Sequence, residues 1–288
     1  MIRTGSTTVD GTFCRLFERG KVGVPILLIH GLGLNQEMWA AQIDALAERG
    51  PVITYDLFGH GVSPPPPETP CLGLFADQAA SVLEHFGYEN AVIAGFSLGG
   101  MIARRIAMTY PEMTMALVVL HSPHQRTSAE HDSIQARVHQ AEKHGPAATV
   151  DAAIERWFTE DFRAKAPQVI QQVKDWVMAN DPGIYPPIYQ VLVDGVDELI
   201  SPSPPVRCPA LVMTGDEDFG NHPAMSAAIA REIEGAELVV LNGLRHMAMM
   251  EAPEIFNPPL LRFLDQLPSG KSMPPQEKTM IKGENSWN

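Results

Sequence analysis

Six short, almost wholly apolar runs constrain this chain more than any other feature of its 288 residues. They are VPILLIHG (from Val24), PVITYDLFG (from Pro51), NAVIAGFS (from Asn90), MALVVLHSP (from Met115), PALVMTGDED (from Pro209) and AELVVLNG (from Ala236). A strand with one face in water alternates apolar and polar residues, whereas a strand covered on both faces is apolar throughout. Between the early runs lie helical patterns: EMWAAQIDALAERG, GLFADQAASVLEHFG and GGMIARRIAMTYPE. The first two close on Gly50 and Gly87, where a helix C-cap belongs. Strand and helix in alternation predict an α/β fold, a mostly parallel sheet with helices on both faces. A hairpin is expected around TVDGTFCRLFERG, ahead of the first strong strand.

Residues 124–203 break the rhythm. SIQARVHQAEKHG, TVDAAIERWFTEDF and APQVIQQVKDWVMAN read as helices with no strand between them. The expected organisation is a core of residues 1–123 and 204–267 with a helical cap, 124–203, inserted between two strands. SPSPPVRCP, from Ser201, is a stiff return to the sheet. Residues 268–288 lack apolar periodicity and are expected to be a disordered tail.

Charge and cysteines exclude several classes. Lys and Arg number 21 against 34 Asp and Glu, a net charge of −13, with no basic stripe to attract a phosphate backbone. Nucleic acid is therefore not an expected partner, although the net charge leaves room for a local positive group at a site. Cys14, Cys71 and Cys208 are far apart and form no CxxC pair, so reduced thiols and no zinc site are expected. No run approaches the ~18 apolar residues of a membrane span, and the first residues lack a signal-peptide core. The expectation is a soluble, cytoplasmic protein that needs neither membrane nor cofactor.

GFSLGG, Gly95 to Gly100, ends the third run. A serine hemmed in by glycines is a tight turn or a nucleophile, and the context decides. Strand before and helix after would lift the Ser97 hydroxyl out of the sheet edge on a strained turn. A serine needs a base. Among the ten histidines, His30 and His60 look loop-shaping, and His85, His131, His139 and His144 sit on polar helical stretches. His246 follows the last apolar run, on the same rim as Ser97, and is the candidate base. A carboxylate should orient it. Asp216, Glu217 and Asp218 all follow a strand, and spacing alone does not separate them.

These segments together resemble the α/β-hydrolase superfamily over about Val9 to Leu267. HGLG is similar to its oxyanion loop, YDLFGHGVS to its D-x-x-G-x-G-x-S segment, and GFSLGG to its nucleophile elbow. The resemblance implies an eight-stranded, mostly parallel sheet with a helical cap, and a Ser…Asp…His order. Its G-x-x-D pattern places the acid at Asp218, and its G-x-x-H pattern falls on His246. It also implies an oxyanion hole made by the backbone N–H groups of Leu32 and Leu98. HGLGLNQEMW followed by GFSLGG looks most like the 3-oxoadipate enol-lactonase and small-carboxylesterase branch. Serine at the elbow disfavours relatives that form an alkyl-enzyme on Asp.

The expected activity is hydrolysis of a small carboxylic ester or lactone through an acyl-enzyme on Ser97. His124 and Arg126, after the fourth run, are candidates to touch a substrate carboxylate. Trp157 and Trp176 are candidates to line the pocket from the cap, where aromatic residues more often pack as core. His121 and His124 in HSPH have a ligand-like look but no evident acidic or cysteine partners, so no metal is expected. Two other readings stay open: a C–C bond hydrolase of a vinylogous diketone using the same three residues, and a ligand receptor without catalysis.

Overall fold

Burial on both faces accounts for the apolar runs: in the computed structural model, which describes residues 2–7, 10–19 and 23–267, each of them is a strand of one sheet. The eight strands are β1 (Ile2–Thr7), β2 (Phe13–Phe17), β3 (Ile26–Ile29), β4 (Val52–Tyr55), β5 (Ala91–Phe96), β6 (Thr114–Leu120), β7 (Ala210–Gly215) and β8 (Glu237–Leu241). Their order across the sheet is β1-β2-β4-β3-β5-β6-β7-β8. From β4 to β8 all neighbours are parallel; β1 with β2 and β2 with β4 are antiparallel. The expected hairpin exists, but its first strand lies upstream of the predicted stretch, which contributes only the turn and β2. β3, β4, β5 and β7 are buried at every position, whereas Leu238 and Val240 of the edge strand β8 are exposed.

Alternation along the strands feeds two cores. Leu27 and Ile29 of β3 face the side covered by α2 (Leu72–His85), α3 (Leu98–Thr109) and α9 (Pro223–Glu232). Ile26 and Leu28 face the side covered by α1 (Ala40–Ala47), α10 (Ala248–Glu251) and α11 (Pro253–Gln266). Between β6 and β7 come five helices and no α/β alternation: α4 (Ser128–His144), α5 (Ala147–Trp157), α6 (Glu160–Lys165), α7 (Pro167–Met178) and α8 (Tyr185–Asp194). A full capping box at Thr127 and Glu130 sets the start of α4. α4 and α8 pack into the first core, through Ile134, Val138 and Ile188. α5 and α7 pack into the second, through Ile154 and Val173. The inserted helices thus reach both cores. None of the helices among the described residues is long and apolar enough to cross a membrane. The tail expected at 268–288 lies outside the described residues.

Candidate active site

The turn at Ser97 is strained and tightly held. Its φ of 55° and ψ of −115° lie where a residue with a Cβ rarely goes. Four groups fix it: the Ser97 N–H donates to Leu120 O (2.8 Å), while its carbonyl accepts from Gly100 N (3.0 Å), Met101 N (3.2 Å) and Ser122 Oγ (2.9 Å). The flanking glycines answer a close approach. A Cβ on Gly95 would stand 1.9 Å from Gly99 O, and one on Gly99 would stand 2.3 Å from Ile29 O. Strand, turn and helix therefore meet at van der Waals limits, with Ser97 at the crest.

The loops after β7 and β8 are zipped together. Asp216 N donates to Leu241 O (3.0 Å) and Glu217 N to Leu244 O (3.1 Å), while Asp216 Oδ1 accepts from Gly243 N (2.7 Å). Glu217 reaches Arg245. Those two acids serve the loops, and the structure singles out Asp218. Its Oδ2 accepts from His246 Nδ1 at 2.7 Å, and its Oδ1 accepts from the N–H groups of Gly220 (3.2 Å) and Asn221 (3.0 Å). Burial acts to raise the Asp218 pKa. The neighbouring His246 charge and the hydrogen bonds from His121 and His246 outweigh it and hold the carboxyl well below the usual range. His246 packs against Phe96, ring centroids 4.7 Å apart, and faces Trp157 at 6.2 Å.

His121 corrects one expectation. Its Nδ1 donates to the same Asp218 Oδ2, at 3.0 Å, so two imidazoles share one carboxylate oxygen. Burial pulls the His121 pKa down, against the pull of Asp218, and keeps the ring neutral. Its Nε2 is buried without a partner among the described residues, and its φ is 48°. The ligand-capable atoms of His121, Asp218 and His246 lie within 4.8 Å of one another, but the distances to Asp218 are those of hydrogen bonds. His124 also has an acid, with Nε2 3.1 Å from Glu232 Oε1. Acidic partners for the HSPH histidines are remote in sequence (Asp218 and Glu232), which is why the motif showed none.

The loop after β3 lies against the elbow. A Cβ on Gly31 would come within 2.9 Å of the Phe96 ring and 3.2 Å of Ser97 Cβ. That places Leu32 beside Ser97, and neither the Leu32 nor the Leu98 N–H has an acceptor among the described residues. The loop is braced by His30 and His60, as expected of loop-shaping residues. His30 Nε2 accepts from Leu57 N and His60 Nε2 from Gly33 N, both at 2.9 Å. Each Nδ1 donates to a carbonyl, Gly31 O (2.8 Å) and Phe58 O (3.1 Å) respectively. Burial lowers His30 to about 4 and His60 to about 3, so both stay neutral acceptors. Asp56 ties the second motif in, taking Gln36 N on one oxygen and Val62 N on the other.

Ser97, Asp218, His246 and Leu32 line a cavity of about 360 Å³ roofed by the inserted helices. Of the four residues expected to contact substrate, Arg126 and Trp157 line it. The other two are corrections. His124 is turned to Glu232, and Trp176 packs against the core on the α7 side. The residues that sequence reasoning missed are Arg137 and Arg156, which also line the cavity. Their signal was register. Glu130, Ser133 and Arg137 on α4, and Thr149, Ala153 and Arg156 on α5, follow i, i+3, i+4 and i+7 spacing along one face.

The sequence profile of the alpha/beta hydrolase family matches residues 26–258. Among curated proteins, the chain is similar to the (E)-2-((N-methylformamido)methylene)succinate hydrolase of Acinetobacter baylyi. It is 28% identical over 252 residues, covering 88% of this chain and 94% of that one. Among solved structures it resembles the enol-lactonase from Burkholderia xenovorans LB400, with a TM-score of 0.83 and 25% identity over 91% of this chain and 100% of that one. It also resembles a malate-bound thermophilic esterase from Thermogutta terrifontis, with a TM-score of 0.79 and 25% identity over 92% and 98%.

Proposed function

The chain belongs to the alpha/beta hydrolase family, and from that premise we propose that it is a serine hydrolase that opens a carboxylic ester or lactone through an acyl-enzyme on Ser97. The observation that carries this reading is the 2.7 Å bond from His246 Nδ1 to the buried Asp218, in a cavity that the strained Ser97 shares. Asp218 sets the tautomer: with Nδ1 donating, Nε2 presents a lone pair to the cavity.

His246 takes the Ser97 proton as Oγ attacks the substrate carbonyl. The carbonyl electrons move to oxygen, and the Leu32 and Leu98 N–H groups hold the resulting oxyanion; one such donor is worth about 3–4 kcal/mol in comparable sites. As the tetrahedral intermediate collapses, the proton on His246 passes to the leaving alkoxide or enolate oxygen. Water then attacks the acyl-enzyme, with His246 again as base, and the acid is released from Ser97. Hydrogen bonds from His121 and two backbone amides keep Asp218 ionised throughout, so it steadies the imidazolium without taking its proton.

The similar enol-lactonase supports the lactone reading, and the similar (E)-2-((N-methylformamido)methylene)succinate hydrolase is the reason to include enamides among the substrates tested. A panel of 4-nitrophenyl esters, lactones, enamides and ring-fission dienones, run with the wild type and Ser97→Ala, tests it. Ester or lactone turnover that falls at least about 10³-fold in the folded Ser97→Ala protein is expected. Turnover surviving that substitution would contradict the reading, and turnover of dienones alone would replace it with C–C hydrolysis.

A further inference from the structure

The same cavity holds three guanidinium groups that no step above uses. Arg126 precedes α4, Arg137 lies on α4, and Arg156 lies on α5. None forms an ion pair with a carboxylate among the described residues, in a chain with 34 acids to 21 bases. Arg156 makes no side-chain hydrogen bond there. Arg126 has one long contact, Nη1 to Val193 O at 3.4 Å. Arg137 gives Nε to Tyr189 OH (3.1 Å) and Nη1 to Ser133 Oγ (3.0 Å). Each guanidinium carries five N–H donors, so most of this capacity is unspent.

The two acids that line the cavity are already engaged. Asp218 serves His246 and His121; Glu130 takes the Thr127 N–H and hydroxyl on one oxygen and His222 on the other. The three cations also oppose one another. Burial lowers Arg126 to about 10, with the Arg137 charge adding to the effect, and burial and Arg137 act on Arg156 in the same direction. At about 10, Arg126 stays charged at neutral pH. Half-buried, mutually repelling and without a carboxylate in ion-pair contact among the described residues, they form a site that an anion would complete.

Resting on the serine-hydrolase reading, we propose that the substrate is a half-ester, lactone or amide of a dicarboxylic acid, whose free carboxylate is held by Arg126, Arg137 and Arg156 while its reacting carbonyl lies at Ser97. The contacts of Arg126 and Arg137 with α8, at Val193 and Tyr189, are four residues apart, about one helical turn. Both arginines therefore reach the same turn of α8, on the cavity side of the roof.

The test compares mono-4-nitrophenyl glutarate with its methyl ester, which is the same acyl chain without the charge. The wild type should favour the anionic ester by at least about tenfold in kcat/KM. Arg137→Met and Arg156→Met should each erode that ratio, mainly through KM, and added salt should do the same. Calorimetry reads the site without turnover: glutarate should bind, and glutaramide, of similar size and no charge, should not. Equal turnover of both esters, with no glutarate binding, overturns the proposal and leaves the hydrolase reading intact. Turnover of neither ester with glutarate bound defeats the hydrolase reading and leaves the anion site. Inorganic phosphate binding where glutarate does not would overturn the carboxylate assignment.

Discussion

At the scale of the residue, the shared oxygen of Asp218 distinguishes this site from a simple chain of three groups. Two imidazoles donate to it, and only His246 opens to the cavity. His121 acts through Asp218 and is a positioning residue. Removing its N–H leaves a buried carboxylate one donor short, a change usually worth about 1–3 kcal/mol. His121→Leu should therefore lower kcat by about tenfold with little change in KM, and His121→Asn, which keeps a donor, should restore part of the loss. A leucine variant at wild-type kcat would reduce His121 to packing. This residue shows where sequence reading stops. Ser97 and His246 were legible because each follows a strand in a motif of known local geometry. His121 follows one too, but its partner lies 97 residues away, and only the pairing of β6 with β7 brings them together.

At the scale of the element, the loops after β3 and β4 lean on two buried neutral histidines. In the unfolded chain each takes a proton near the ordinary pKa of about 6.5. In the fold, His30 resists until about 4 and His60 until about 3. Below about pH 6.5 the unfolded state thus binds more protons, so stability should fall steadily from there toward pH 4, by a few kcal/mol in all. Urea midpoints across that range check it. His60→Gln should lower the plateau at neutral pH and flatten the slope; an unchanged slope in that variant would contradict the assignment. The strands β3 to β8 and, among the inserted helices, α4, α5 and α7 were readable from hydrophobic pattern; β1, α6 and α8 were not. Which cap face looks inward was not. Trp157 and Trp176 are both aromatic residues near helix ends that pack against the second core, yet only Trp157 also faces His246 and the cavity, because the packing of α5 and α7 on the sheet decides it.

At the scale of the whole molecule, charge is distributed against its own average. The chain carries −13, while the cavity gathers three arginines under a roof anchored to both cores. Net charge argued correctly that a local positive group was open, but composition has no access to where three arginines from two helices and a loop converge. The family was legible because its four motifs sit at the carboxyl ends of β3, β4, β5 and β8, each under a local backbone constraint; substrate preference is set by side chains on helices with no such constraint. Everything argued for the chemistry depends on Ser97 being a nucleophile primed by His246. A fluorophosphonate probe, followed by mapping of the modified peptide by mass spectrometry, measures that directly. The account predicts one label per chain, on Ser97, absent from Ser97→Ala and greatly slowed in His246→Gln; an unlabelled wild type, or a label on another residue, would contradict it.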